Sequence, residues 1–384
     1  MFASFKEDRY ILKRYGAFLL VAAVLLLALT VGLVSNLRDL GDDPDVFGHA
    51  NFTDVRQPLH PVNSTTPHGQ ISLSYIEHMN NNYYDRFSYT VTEMQTAKWL
   101  VDELLAIGYT WNDIEIQEFS LGEAGAMLDM DFVMDLFLFF DSTPFANFGF
   151  RPSEQSQNVI LRIPGRSAET IIVGAHYDSV YFPGASDNAS GTALLLESAI
   201  RMQGIDNYYT IEYVFFGAEE SGLYGSIFYA EQLSQAEHDN ILFMLNADVL
   251  LDGDDLFYMA GYDANGRPGA NSITEKWDSI ALDINAQYGF NLRPLPWGVF
   301  GPSDQLAFLP HGHTAMFMAG LDVTGEIPDG DVTMFIYEMN RAMHTPHDDI
   351  HFMDDNWPSM GETNMRAFSI FLEEMLLADY SHAG

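Results

Sequence analysis

From Tyr15 to Val34 the chain runs without a charge, as YGAFLLVAAVLLLALTVGLV. As a helix this stretch reaches about 30 Å, the thickness of a bilayer core. Lys6, Arg9, Lys13 and Arg14 precede it, and Asp39, Asp42, Asp43 and Asp45 follow it. The positive-inside rule then makes residues 1–14 a cytoplasmic N-terminus and residues 15–37 a transmembrane signal anchor. The remainder is expected in the periplasm or outside the cell. A cleavable signal peptide would carry a shorter apolar core ending in a small-residue cleavage site. Residues 38–70 are rich in Asp, Pro, Asn, Ser and Thr without periodicity, which reads as a neck.

Beyond the neck the pattern changes. TEMQTAKWLVDELLAIGY has Ala97, Leu100, Val101, Leu104 and Ile107 at helical spacing, a capping box of Thr92 with Gln95, and Gly108 as its stop. Apolar strands are predicted over 169–177, 210–217 and 241–247, separated by helices near 190–203 and 222–233. Alternation at this spacing predicts an α/β body over residues 71–384, with a mostly parallel central sheet flanked by helices and preceded by one transmembrane helix. AMLDMDFVMDLFLFFD, residues 126–141, is too short and too acidic to span a bilayer. It reads as a buried insertion, with a lid or partner surface as the other readings.

Composition narrows the chemistry. The 384 residues include no cysteine, so disulfides, iron–sulfur clusters and thiol nucleophiles are excluded. Any metal must then rest on His, Asp or Glu. The net charge of −37, with four lysines, repels nucleic acid and suits cationic partners such as free amines.

In parallel sheets functional groups gather at the carboxyl ends of the strands. The first predicted strand ends in His176 and Asp178, which share a face. Asp187 follows in PGASDNASG, Glu219 and Glu220 end the second strand, Asp248 ends the third, and His344 and His347 stand in MHTPHDD. Taken singly, each acid could cap a helix and each histidine could be a surface residue. Ligand types at successive strand ends instead suggest one metal centre.

The ordered motifs IIVGAHYDSV, PGASDNASG, FFGAEESGLYGS, LNADV, GPSDQLAF and HTPHDD, with NVILRIPG before them, resemble the M28 family of co-catalytic zinc peptidases, the aminopeptidase Y and bacterial leucyl aminopeptidase group. The resemblance covers about residues 75–375 and implies a zinc-exopeptidase, phosphorylase-like fold with two zinc ions per chain. It makes His176, Asp187 and Asp248 the ligands of one ion. Asp187, Glu220 and His344 hold the other, with Asp187 bridging and His347 as the fallback for His344. Glu219 becomes the general base and Asp178 the partner that orients His176. Two departures stand out. Met343 occupies the place where some relatives carry an oxyanion-stabilising tyrosine, leaving Tyr224 and Tyr262 as nearby candidates. SDQ at 303–305 replaces Ser-Asp-His, a change expected to affect packing around the site.

The expected activity is a membrane-anchored aminopeptidase acting on peptides with a free N-terminus. A carboxypeptidase would need an arginine for the substrate carboxylate, for which Arg267 and Arg293 are candidates. A single-zinc glutaminyl cyclase and a non-catalytic receptor-like ectodomain are the other readings.

Overall fold

A computed structural model describes residues 57–60, 65–127, 155–260, 271–294, 303–322 and 342–381. The expected anchor at 15–37, most of the neck, residues 128–141, Tyr262 and Arg267 lie outside the described residues. Among the described residues no helix is long and apolar enough to cross a membrane.

Helices α1 (Gln70–Asn82) and α2 (Val91–Ile107) lead into strand β1 (Ile114–Ser120) and the short α3 (Leu121–Met127). Strands β2 (Gln155–Ile163) and β3 (Thr170–His176) follow, then a tight turn at Ala185–Ser190 and α4 (Gly191–Met202). Next come β4 (Thr210–Phe216), α5 (Tyr224–Gln232), α6 (Gln235–His238) and β5 (Ile241–Ala247). The rest comprises β6 (Asp255–Ala260), α7 (Ser272–Tyr288), β7 (Arg293–Pro294), a 3-10 turn at Asp304–His311, β8 (Ala315–Leu321), α8 (Ile350–Asn356) and α9 (Met360–Leu377).

The eight strands form one sheet in the order β1-β2-β4-β3-β5-β8-β6-β7. Its centre, β4-β3-β5-β8, is parallel as the helix–strand alternation predicts. Its margins are not. Strand β2 runs antiparallel to both β1 and β4, and β6 runs antiparallel to β8, so the sheet is mixed. Strands β3, β4 and β8 are buried throughout, which is why they read as continuous apolar runs.

Alternation along these strands divides two helix layers. Ile172, Val214 and Met244 face Leu223, Ile227 and Tyr229 around α5, together with Phe308. Tyr213, on the opposite face, meets Ser198 of α4 through their hydroxyls at 2.8 Å. Phe243 on that same face packs edge-on against Trp277 of α7, 5.2 Å between centroids, and against Tyr380.

The start of α2 differs from the expectation by two residues. Thr90 is the cap, its hydroxyl accepting from Glu93 N, and the Glu93 carboxylate accepts Tyr89 N–H, so the expected box of Thr92 with Gln95 does not start the helix. Gly108 ends the helix as predicted, at a φ of 118° that favours glycine. The described part of the neck already belongs to the body. Leu59 N–H donates to Glu103, Gly69 N–H donates to Glu197, and Arg201 donates to the Thr66 carbonyl.

Candidate metal centre

Every residue assigned to metal by the sequence motifs arrives at one place. His176 is the last residue of β3, and Asp248 directly follows β5. Asp187 lies in the turn before α4, Glu219 and Glu220 just beyond β4, and His344 in the loop before α8. The approach of α4 to β5 depends on Gly191. A Cβ there would stand 2.1 Å from the Ala247 carbonyl, so only glycine lets the Asp187 turn reach Asp248.

The His176 Nε2 atom lies 3.2 Å from Asp187 Oδ1 and 3.2 Å from Asp248 Oδ1. The His344 Nε2 atom lies 3.0 Å from Asp187 Oδ2 and 3.3 Å from Glu220 Oε2. The two oxygens of Asp187 thus face different histidines, and the two triads share that one carboxylate. Donors on one tetrahedral ion at about 2.0–2.1 Å stand roughly 3.3 Å apart, so each triad has the donor types and spacing of a zinc site. Glu219 and Glu220 also converge with His176, which places the Glu219 carboxyl at the edge of the same cluster.

Electrostatics follow from crowding. Burial opposes charge on His176 and His344, but the acids around them override it and push both imidazoles well above their usual value. Burial, reinforced by the neighbouring Asp187, pushes Glu220 up to about 7. Burial also pushes Glu219 well above the carboxylate range, with Glu220, Asp304 and Asp248 adding to it. Asp187 goes the other way: burial would raise it, but its two histidines hold it well below that range. A divalent ion held by these donors would compete with protons for them.

Asp178 performs more than its expected task. The His176 Nδ1 atom is 3.2 Å from the Asp178 carbonyl and 3.4 Å from its Oδ1, which fixes the ring. The same carboxylate accepts the amides of Glu219 and Glu220 at 3.1 and 3.2 Å and the Ser88 hydroxyl at 2.6 Å. It therefore ties the β3 end to the β4 end.

Several supporting residues were missed by the sequence reading. Asp348 Oδ1 accepts Ser186 N–H at 2.6 Å and its Oδ2 accepts Asp187 N–H at 3.1 Å, holding the turn that carries the shared ligand. The motif around His344 contained Asp348, but nothing local indicated its partner. The Ser303 hydroxyl donates to Asp248 Oδ2 at 2.7 Å, so SDQ touches a candidate ligand directly. Gln305 accepts from Asn246, which also reaches Ser303. Arg86, wholly buried, donates to the carbonyls of Tyr177, Pro183 and Gly184 and so braces the loop between His176 and Asp187.

The remaining candidates separate. His347 is exposed and stacks on Phe352 at 4.2 Å, away from the cluster, which leaves His344 as the ligand candidate. Met343 packs against the core patch of Val249, Phe257 and Phe317. The Tyr224 ring packs with Tyr89, Phe119 and Ala218. Arg293 is bound to Asp255 at 2.7 Å and lies over the Phe257 ring.

Known proteins share this architecture. The chain is 32% identical over 202 residues to aminopeptidase YwaD of Bacillus subtilis (strain 168), a match covering 52% of this chain and 40% of that protein. It spans two fifths or less of the length of the first curated relatives it matches. The structure of BSAP, a zinc aminopeptidase from Bacillus subtilis, superposes with a TM-score of 0.60 at 18% identity, covering 82% of this chain and 96% of that one. A Porphyromonas gingivalis glutaminyl cyclase superposes at 0.57 with 16% identity, covering 81% and 98%. At these identities the superpositions establish the fold alone. Residues 158–369, just over half of the sequence, match the model of peptidase family M28, and the chain belongs to that family.

Proposed function

We propose that this protein is a di-zinc aminopeptidase, removing N-terminal residues from peptides. The observation that carries the reading is the division of the Asp187 carboxylate between two histidines, each completing a separate triad. Zinc in both triads would supply Lewis acidity and a bound water with a pKa near 7. His176, Asp187 and Asp248 would hold one ion, and Asp187, Glu220 and His344 the other.

The protein's own groups do the rest. Asp178 holds His176 in the tautomer that presents Nε2 to the cluster. Glu219, a neighbour of the ligands and itself left over from both triads, accepts a proton from the attacking water and delivers it to the leaving amine. The carboxylates around the centre, within a chain of net charge −37, favour a cationic substrate N-terminus over a carboxylate. Arg293, committed to Asp255, supports this preference over carboxypeptidase action. Glutaminyl cyclisation is the second reading, favoured by the fold shared with the cyclase. The reading includes a signal anchor at residues 15–37 that holds the body outside the cytoplasm, and its support is the flanking charge pattern.

The test offers the zinc-loaded protein free, N-acetylated, C-amidated and Gln-first versions of the same peptides, with Glu219→Gln as the blank, read by mass spectrometry. Stepwise loss from free and amidated peptides, with acetylated ones intact, is the expected result. Trimming from the C-terminus, loss of ammonia from Gln-first peptides, or equality with the blank would each overturn it.

A further inference from the structure

The proposed mechanism gives no role to Glu93, one of several fully buried acids. Glu93, the third residue of α2, has no solvent exposure. In the first turn of a helix an acid would ordinarily meet only local backbone. Its Oε2 does so, accepting the N–H of Tyr89, just before the Thr90 cap, at 2.5 Å. Its Oε1 reaches across the fold instead, accepting the Ser156 hydroxyl at 2.6 Å and the Ala218 amide at 3.0 Å.

Ala218 immediately precedes Glu219 and sits at a φ of 56°. A residue with a Cβ holds that left-handed conformation only when its surroundings impose it. The next two amides, of Glu219 and Glu220, donate to Asp178. Three consecutive amides are thus anchored on two buried carboxylates from different parts of the chain. Asp178 also touches His176, whereas the bonds of Glu93 go to Tyr89, Ser156 and Ala218 and to no candidate ligand. The two anchors are therefore separable by experiment.

We propose that Glu93 is a positioning residue: by holding the Ala218 amide it sets the backbone from which Glu219 enters the metal centre. The proposal rests on the reading of Glu219 as the general base. Glutamine at position 93 keeps the volume and one acceptor but turns the other oxygen into a donor facing a donor. The anchor is lost on one side while the helix remains.

The test compares the full-length wild type with Glu93→Gln. Hydrogen exchange at the amides of 218–220 should quicken about tenfold or more, while α2 keeps its protection. Zinc content should be unchanged. The kcat should fall on the order of 10²-fold with KM nearly constant, as expected when a reacting group is slightly misplaced. Unchanged exchange at 218–220, unchanged kcat despite faster exchange, or a kcat loss that follows loss of zinc would overturn the proposal. If Glu93→Gln does not fold, Ser156→Ala removes one donor to the same oxygen and should give the same pattern, smaller in size; no change in exchange or kcat would overturn it. Should the wild type lack peptidase activity, the exchange measurement still decides whether Glu93 orders this turn, so the two failures are distinguishable.

Discussion

Replacing Glu220 by glutamine should stabilise the metal-free protein at neutral pH while destroying one metal triad. In the folded state burial and the neighbouring Asp187 push Glu220 from an ordinary 4.5 up to about 7. The native state therefore holds this proton more tightly than the unfolded chain. Its contribution is fully present below pH 4.5 and is lost as pH rises through about 7. At about 1.36 kcal/mol per unit the loss is about 3 kcal/mol across that window. Asp187 has the opposite sign, but its histidines hold it so low that its contribution changes only in more acidic solution. Glutamine imitates the protonated acid, and its amide can still accept from Val180 N–H, which Glu220 Oε1 meets at 3.1 Å. Metal-free Glu220→Gln should therefore match the wild type at pH 4.5 and exceed it by about 3 kcal/mol at pH 7.5. With an unfolding entropy of about 2.1 cal/mol/K per residue, that corresponds to a Tm higher by about 4 °C. Saturating zinc should reverse the order, because only the wild type gains the full binding free energy. Thermal unfolding of chelator-treated and zinc-loaded samples at both pH values reads all four numbers. A variant no more stable than the wild type at pH 7.5, or equally stabilised at both pH values, would refute the reasoning.

Two further changes test the supports of the centre. Ser303→Ala removes the hydroxyl that meets Asp248 Oδ2 at 2.7 Å and should weaken zinc binding by about 10–100-fold without loss of fold; unchanged affinity in chelator competition would count against it. Asp348→Asn places an amide donor against the Ser186 or Asp187 N–H and should lower stability by about 2–4 kcal/mol, seen as a lower urea midpoint; a shift under about 0.5 kcal/mol would show that the turn holds itself.

The sequence by itself determined the candidate residues of this centre and the parallel heart of the sheet. Whereas His344 was preferred to His347 only through the family resemblance of HTPHDD, His176, Asp187, Glu219, Glu220 and Asp248 were legible because each stands beside an apolar run or a glycine-marked turn, local signals that survive without coordinates. Strands β3, β4 and β5 were legible for the same reason. The margins were not: β2 and β6 run against the central strands because of their connections, which no run of side chains encodes. The cap of α2 shows the limit of local pattern. Thr90 with Glu93 and Thr92 with Gln95 both have the spacing of a box, but only Thr90 caps the helix, and Glu93 directs its oxygens to Tyr89 and, across the fold, to Ser156 and Ala218. Tertiary structure alone decided how the candidate ligands are held. Arg86, Ser88, Glu93, Ser303 and Asp348 act on loops far from them in sequence, and a buried polar group acquires its partner only when packing has removed water from both.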